Sequence, residues 1–416
     1  MTRWSGLLVG AAVLAVACAG GEETAEPSPS RLSAIELDAD GRPDPDIEPS
    51  DPVSASASTG EVAEDDVRLG FEGRADIDAT GNRVSTGTGD LSAEPIEIRL
   101  DQPAIWLVPS SPERGAPWAA VLDDGRLVWI DPRSGEVDVL VEDWGDAEPV
   151  VRGAERIDTW DLASLFPDAL PDGRLVSGRD VAVFLAEPTD RYRHGVLGDV
   201  VEAAAIEIRS TEDGSSEFRV ELDVDVVEGR SALLGDADGD GDDEILVTQS
   251  NDRNGARLVL YDADGTLLAE STSVGRGNRW RSQLAIAPVG PDGEIEIVDV
   301  RTPHLGRTIE WFRLEGDELV RVAERDGYTN HVLGSRNLDL GIVADPDGDG
   351  RLEVVVPTSD RRAVGVVART AAGTDEEFRV DLGARLSSNL GAIDHPDGGA
   401  TYAIGTEDGR IRFWVS

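Results

Sequence analysis

Short apolar strands separated by Gly- and Asp-rich turns, recurring about every 50 residues, predict an all-β chain folded as a β-propeller of about seven four-stranded blades. The texture begins near residue 95 and runs to the C-terminus. Asp-Gly turns mark it at Asp124-Gly125, Asp172-Gly173, Asp240-Gly241, Asp292-Gly293, Asp349-Gly350 and Asp397-Gly398, spaced by 48, 68, 52, 57 and 48 residues. In two of these units the turn expands into the same acidic loop. A sandwich of irregular repeats is the alternative all-β arrangement.

Taken in order, the chain opens with Arg3 and an apolar run over 7–17, too short to span a membrane as a mature helix and suited to a signal peptide over 1–17. The run ends Leu14-Ala15-Val16-Ala17-Cys18. This resembles the lipobox of bacterial lipoproteins, with Ala15 where leucine is commoner. The resemblance implies cleavage before Cys18 and lipidation of that residue, hence an extracytoplasmic protein anchored to the bacterial cell membrane or outer membrane. Cys18 is the only cysteine, so no internal disulfide forms. A secretory signal with an incidental cysteine is the alternative. Residues 18–90 are rich in acidic, small and proline residues; they bury too little apolar surface to repay ordering and read as a disordered acidic tether. Within it, 38–46 imitates the later acidic loops, but no strand follows.

The propeller is expected over 91–416. Strand-like runs at 119–122 and 127–130 flank the first turn, and 174–176 follows the second. The longest interval has room for another blade around 194–228, with strands near 205–208 and 218–222. One blade is legible in full, at 283–287, 294–300, 308–313 and 318–323. The last offers three strands, 390–393, 401–404 and 410–414; a fourth is expected from the N-terminal side, at 96–100 or 104–107. That exchange closes the ring and removes an exposed edge.

The first acidic loop sets Asp236, Asp238, Asp240 and Glu244 at positions 1, 3, 5 and 9, with the Asp242 carbonyl at position 7 and Gly239 and Gly241 bending the chain. The second repeats it with Asp345, Asp347, Asp349 and Glu353 and the Arg351 carbonyl. Carboxylates this close repel unless a cation lies between them. Hard oxygens in an irregular loop suit Ca²⁺, which takes about six to eight of them, better than Mg²⁺. Strands on both sides exclude a helix-flanked EF-hand. About two structural Ca²⁺ ions per chain are expected. At the third unit Pro288, Gly290 and Asp292 occupy the aspartate positions and only Glu296 is kept; the last unit keeps only Asp397, and both loops are expected to form without metal. The stretch Asp262-Ala263-Asp264-Gly265 reads as a hairpin turn.

Eighty-three acidic against 38 basic residues, all of the latter arginine, give a net charge of −45, which repels phosphate backbones and excludes nucleic acid as a partner. His194, His304, His331 and His395 form no catalytic or metal pair by spacing, and no nucleophile elbow or phosphate-binding glycine loop is present. Carboxylate pairs are too numerous to single out a glycosidase site. The tryptophans are expected to pack between blades. Trp280, between Arg279 and Arg281, reads as exposed strand-edge packing, with a contact for an anionic partner as the alternative.

The motif Asp-x-Asp-x-Asp-Gly-x-x-Glu between apolar strands, met at Asp236, Asp238, Asp240, Gly241 and Glu244 and again at Asp345, Asp347, Asp349, Gly350 and Glu353, resembles the FG-GAP or VCBS repeats of the integrin alpha-chain β-propeller and of many bacterial surface lipoproteins. The Phe-Gly half of that signature is replaced by Leu234-Gly235 and by Gly341-Ile342-Val343-Ala344. The resemblance implies that each ion staples a hairpin loop at the rim of a blade. The function expected is that of a membrane-anchored, calcium-binding, non-catalytic scaffold, monomeric as a domain, which contacts a protein or glycan through its loops. The alternative is a carbohydrate-active lyase or hydrolase on the same scaffold; a deep funnel holding His, Arg or Tyr among acids would favour it. Fold does not decide between them.

Overall fold

The computed structural model describes residues 35–36, 80–152, 156–159, 161–211 and 214–416. The expected signal peptide, Cys18 and the acidic stretch 38–46 lie outside the described residues. In chain order the strands are β1 (Ile35–Glu36), β2 (Val84–Thr88), β3 (Ile96–Arg99), β4 (Ala104–Pro109), β5 (Trp118–Leu122), β6 (Leu127–Ile130), β7 (Val137–Val141), β8 (Pro149–Arg152) and β9 (Arg156–Thr159). After a short helix α1 (Leu162–Leu165) come β10 (Val176–Ser177), β11 (Val181–Thr189), β12 (Glu202–Ser210), β13 (Ser216–Glu221), β14 (Val226–Val227), β15 (Leu233–Gly235), β16 (Glu244–Ser250), β17 (Arg257–Tyr261) and β18 (Leu267–Ser271). The remainder is β19 (Arg281–Ala287), β20 (Glu296–Arg301), β21 (Thr308–Glu315), β22 (Glu318–Asp326), β23 (Ile342–Asp345), β24 (Glu353–Pro357), β25 (Ala363–Thr370), β26 (Gly373–Asp381), β27 (Leu386–Asp394), β28 (Ala400–Thr406) and β29 (Arg410–Val415).

Successive strands pair antiparallel into small sheets: β4 to β7, β8 with β9 and β1, β10 to β13, β15 to β18, β19 to β22, β23 to β26, and β27 to β29. Short edge pairings, β14 between β12 and β16 and the parallel contact of β18 with β22, join the middle three into one continuous path. The inner strands are covered on both faces and so run continuously apolar: every residue of β5, β16 and β24 is buried, whereas the outer strands β22 and β26 alternate with solvent.

Sheet packs on sheet in sequence. Trp106, Val121 and Trp129 meet Val151 and Ile157; Val183, Ile206 and Ile208 meet Leu234, Ile245 and Val259; Leu246 and Leu260 meet Ile286, Ile297 and Phe312. Leu284, Val298 and Trp311 continue onto Val343 and Val354, Ile342, Val355 and Val366 onto Leu390, Tyr402 and Trp414, and Ile393, Ala403 and Phe413 back onto Leu107, Trp118 and Val128 of the first sheet. This is a propeller-like arrangement. Its seam is closed as expected: β3 pairs with β29, Ile98 opposite Ile411, so the earlier of the two candidate strands completes the last sheet and 104–107 begins the next.

The expected boundary of the tether at residue 90 is corrected. Residues 80–91 belong to the fold: Leu234 donates its amide to the Thr80 carbonyl and Arg83 to that of Leu284, the Asn82 side chain exchanges two 2.9 Å hydrogen bonds with Ile286, and β2 pairs with β23. Residues 80–89 contain no acid, so nothing prevents this stretch from lying against the inner strands. Trp280 packs, as preferred, but without the exposure expected of it, which removes the alternative of a contact for an anionic partner. It is buried and donates to the Glu228 carbonyl, and Arg281 is buried beside Asp299 and Glu310, leaving only Arg279 at the surface. No helix among the described residues is long and apolar enough to cross a membrane.

Candidate metal loops and the loop face

The loop between β23 and β24 gathers Asp345, Asp347, Asp349 and Glu353, each offering an oxygen within 4.8 Å of the others. Gly348 and Gly350 make this possible. Both take positive φ, 79° and 86°, and their amides donate to the two oxygens of Asp345 at 2.8 and 3.2 Å. The Arg351 amide and guanidinium hold Asp349, at 2.8 and 2.9 Å. Glu353 differs from its neighbours: it is 1% exposed and neither carboxylate oxygen has a hydrogen-bond partner. Burial, reinforced by Glu377, Asp349 and Asp347, pushes its carboxyl up to about 8. A buried carboxylate with no donor is costly unless a cation supplies the missing charge. The donor set therefore fits a hard divalent cation such as Ca²⁺.

The loop between β15 and β16 is less convergent. Asp236, Asp238 and Glu244 share one 4.8 Å set. Asp240 stands outside it, its carboxylate accepting from the Asp242 amide at 2.9 Å, and the Asp242 carboxylate faces Arg179 at 3.8 Å. One Glu244 oxygen already accepts from the Ala237 and Asp238 amides, at 2.6 and 3.3 Å; burial still raises its carboxyl to about 7.

The third loop supplies the contrast. Glu296, at the same place as Glu353, is fully buried, but Arg313 and Arg369 approach it at 2.7 and 2.8 Å. Two guanidiniums do there what a cation would have to do at Glu353. Asp397 of the last unit likewise meets Arg114 at 3.0 Å.

Arg174 bridges Glu148 and Asp339 at 2.9 and 2.6 Å, Arg230 joins Glu148 at 3.3 Å, and the cavity left beside Gly81, Arg83 and Trp280 is about 30 Å³, room for a water molecule. Three of the four histidines, distant in sequence, gather near it. His331 donates through Nε2 to the Ser335 carbonyl, so its Nδ1 accepts from His304 Nε2 at 2.8 Å. Both rings lie against Trp280. His194 is paired with Glu228, and Ser250 donates to the same carboxylate rather than to a histidine, so no nucleophile–base pair exists at this spot. His395 is a buried turn residue bonded to Thr401.

At this end of the molecule the loops 196–201, 251–256, 274–280, 302–307 and 329–335 are stitched into one surface: the amides of Ala256, Gly275, Thr302 and Gly334 donate to the carbonyls of Arg279, Asn254, Trp280 and Val196. Leu305 and Leu333, 75% and 66% exposed, stand beside the paired histidines, and Val200 is exposed nearby. Among the described residues, Arg253, Arg276, Arg279 and Arg307 meet no carboxylate here; the acids of these loops are Asp252, exposed, and Asp199, partly exposed and paired with Arg336 at 3.2 Å. An open recess of about 310 Å³ adjoins them, lined by Asp225, Asn251, Arg253 and Arg257. Sequence reasoning missed this face because its residues are scattered over five loops.

No protein-family model matches the chain, and no curated protein matches it. Among solved structures it is similar to a chain of the mitotic checkpoint complex (14% identity over 81% of this chain and 95% of that one, TM-score 0.41). It is also similar to BamB from Moraxella catarrhalis (13%, 78% and 99%, TM-score 0.38). A third likeness is to the WD40 β-propeller domain of Doa1 (11%, 81% and 98%, TM-score 0.39). At these values they are likenesses only; the propeller-like arrangement rests on the sheets and clusters described above.

Proposed function

We propose that the chain is a non-catalytic, seven-bladed propeller of the FG-GAP or VCBS type that binds a protein partner through the loop face and is stiffened by Ca²⁺ at one or both acidic loops. The observation that carries the interaction reading is the conjunction of exposed Leu305 and Leu333 with uncompensated arginines in a chain of net charge −45. Exposed apolar side chains ringed by one sign of charge mark association surfaces. A protein is favoured over a glycan because all seven described tryptophans, Trp106, Trp118, Trp129, Trp144, Trp280, Trp311 and Trp414, are buried, leaving none of the described indoles to stack on a sugar. The partner surface that fits is acidic with apolar side chains. The lipidated Cys18 and the acidic segment after it would hold this module outside the cell, close to a membrane.

Photo-crosslinking tests the reading. A crosslinking amino acid placed at Leu305 or Leu333 of the full chain in its native cells should give one discrete adduct, weakened when Arg276 and Arg279 are changed to Glu. The same group at Val139, on the outer strand β7, should give none. Equal adducts from all three positions, or none from the loop face, would refute the face as a binding surface.

A further inference from the structure

The strand β2 does not merely lie near the second acidic loop; it is hung on that loop's first ligand. It runs parallel to β23 with Thr88 opposite Asp345. The amides of Gly89 and Leu91 donate to the carbonyls of Asp345 and Pro346, both at 2.9 Å. The Thr88 hydroxyl reaches the Asp345 carboxylate at 3.4 Å, and the Tyr402 hydroxyl sits between the carbonyls of Asp345 and Gly87, at 3.3 and 3.5 Å. From the other side, the Asp394 carboxylate accepts from Ser85 and from the amide and hydroxyl of Thr86, and the Gly398 carbonyl accepts from the Thr88 amide at 2.9 Å. The fit is close: a Cβ on Gly89 would overlap the Tyr402 ring, and one on Gly87 the backbone of Gly399. Five residues after Leu91 the chain enters the closing strand β3.

We propose that cation binding at 345–353 and the seating of β2 are one coupled equilibrium, the cation acting as a latch that holds residues 84–91 in the ring. This rests on reading that loop as a cation site, for which the partnerless, buried Glu353 carboxylate within the four-acid set is the evidence independent of the acidic sequence. A cation drawn between Asp345, Asp347, Asp349 and Glu353 fixes the peptide units whose carbonyls hold Gly89 and Leu91. With no cation, the acids of the set repel one another, Asp345 is held only by the amides of Gly348 and Gly350, and the anchor of β2 loosens. Coupling is reciprocal, so whatever unseats β2 must weaken the cation by the same factor, although β2 contributes no carboxylate to the set. Among the described residues no further strand pairs with the loop at 236–244, the N-terminal segment reaching only Leu234 before it, and that loop is the internal control.

Hydrogen exchange on the full chain, with Ca²⁺ as the probe and a chelator as its removal, decides the matter together with calorimetry. The amides of residues 88–91 should exchange about tenfold faster in chelator, a local opening rather than global unfolding. In an Asp238→Ala background, which leaves the second loop as the binding site, Gly89→Ala should lower Ca²⁺ affinity about fivefold or more. Should Gly89→Ala fail to fold, Thr88→Val, which keeps the side-chain shape and loses the hydroxyl, takes its place. Ca²⁺ binding with unchanged exchange at 88–91 and unchanged affinity in the β2 variants overturns the latch and leaves the cation site standing. No Ca²⁺ binding by the parent chain overturns the cation site, and the latch with it.

Discussion

At the scale of single residues, the buried histidine pair has a definite pH signature. Burial, with the Ser335 carbonyl opposing it, pulls His331 down to about 3, and burial with His194 and Arg307 nearby pulls His304 down to about 4. Both are neutral in the folded chain. Between an unfolded value near 6.5 and these folded values only the unfolded chain takes up the proton, so their contribution is fully present above about pH 6.5 and is lost as pH falls. Each group then costs about 1.4 kcal/mol of stability per pH unit. His331→Gln keeps a donor for Ser335 and removes one such titration. Denaturant melts of both proteins from pH 7 to 4 should therefore converge by about 1.4 kcal/mol per unit; a constant difference would mean that His331 is not held neutral. The pairing of His304 with His331 was not legible in the sequence, where neither forms a pair by spacing, because it depends on two loops being brought together whose histidines are 27 residues apart.

At the scale of an element, the sheet β19 to β22 is crossed by a ladder of charge. Arg281 on β19 meets Asp299 on β20 and Glu310 on β21, each at 2.7 Å, and Glu310 also takes Arg301 and Arg321 at 2.8 and 2.5 Å. Asp299 and Glu310 are fully buried, and Arg281 is 5% exposed. Such a network is weak evidence of net stability, but removing one member leaves a buried charge without its partner. Glu310→Gln should cost about 3–5 kcal/mol in urea unfolding, whereas Glu324→Gln, at the exposed end of the ladder, should cost under about 1 kcal/mol. Equal small losses would show that the ladder is solvated. All four strands of this sheet were legible beforehand, within two or three residues, because alternation and turn chemistry are local signals. Its polar ladder was not, since in a chain with 83 acids no single glutamate stands out. For the same reason the sequence showed the acidic positions of both loops but not their inequality. That Asp240 leaves the set, that Glu353 lacks a donor and that Glu296 has two arginines are facts of packing between strands.

At the scale of the whole molecule, the two acidic loops should contribute unequally to stability. A cation that binds the folded loop and hardly binds the unfolded chain adds about 2.7 kcal/mol at a hundredfold excess over its dissociation constant. The 345–353 loop has four converging carboxylates and one of them has no other partner; the 236–244 loop has three, with Glu244 already bonded to two amides. Thermal melts of the full chain in Ca²⁺ should therefore exceed those in chelator by several degrees, with most of the gain removed by Glu353→Gln and less of it by Asp238→Ala. Glu353→Gln should act in opposite directions under the two conditions. In chelator it removes a buried carboxyl that burial holds at about 8, protonated where the unfolded chain's is ionised, and should leave the protein as stable as the parent or more so; in Ca²⁺ it deletes a proposed ligand and should leave it less stable. A simple packing defect would lower both melts alike, so the reversal of sign separates a ligand from a structural residue. If chelator moves neither the parent nor the variants, the loops are solvated turns, and the ring is held by its sheet-to-sheet clusters and by β3 alone.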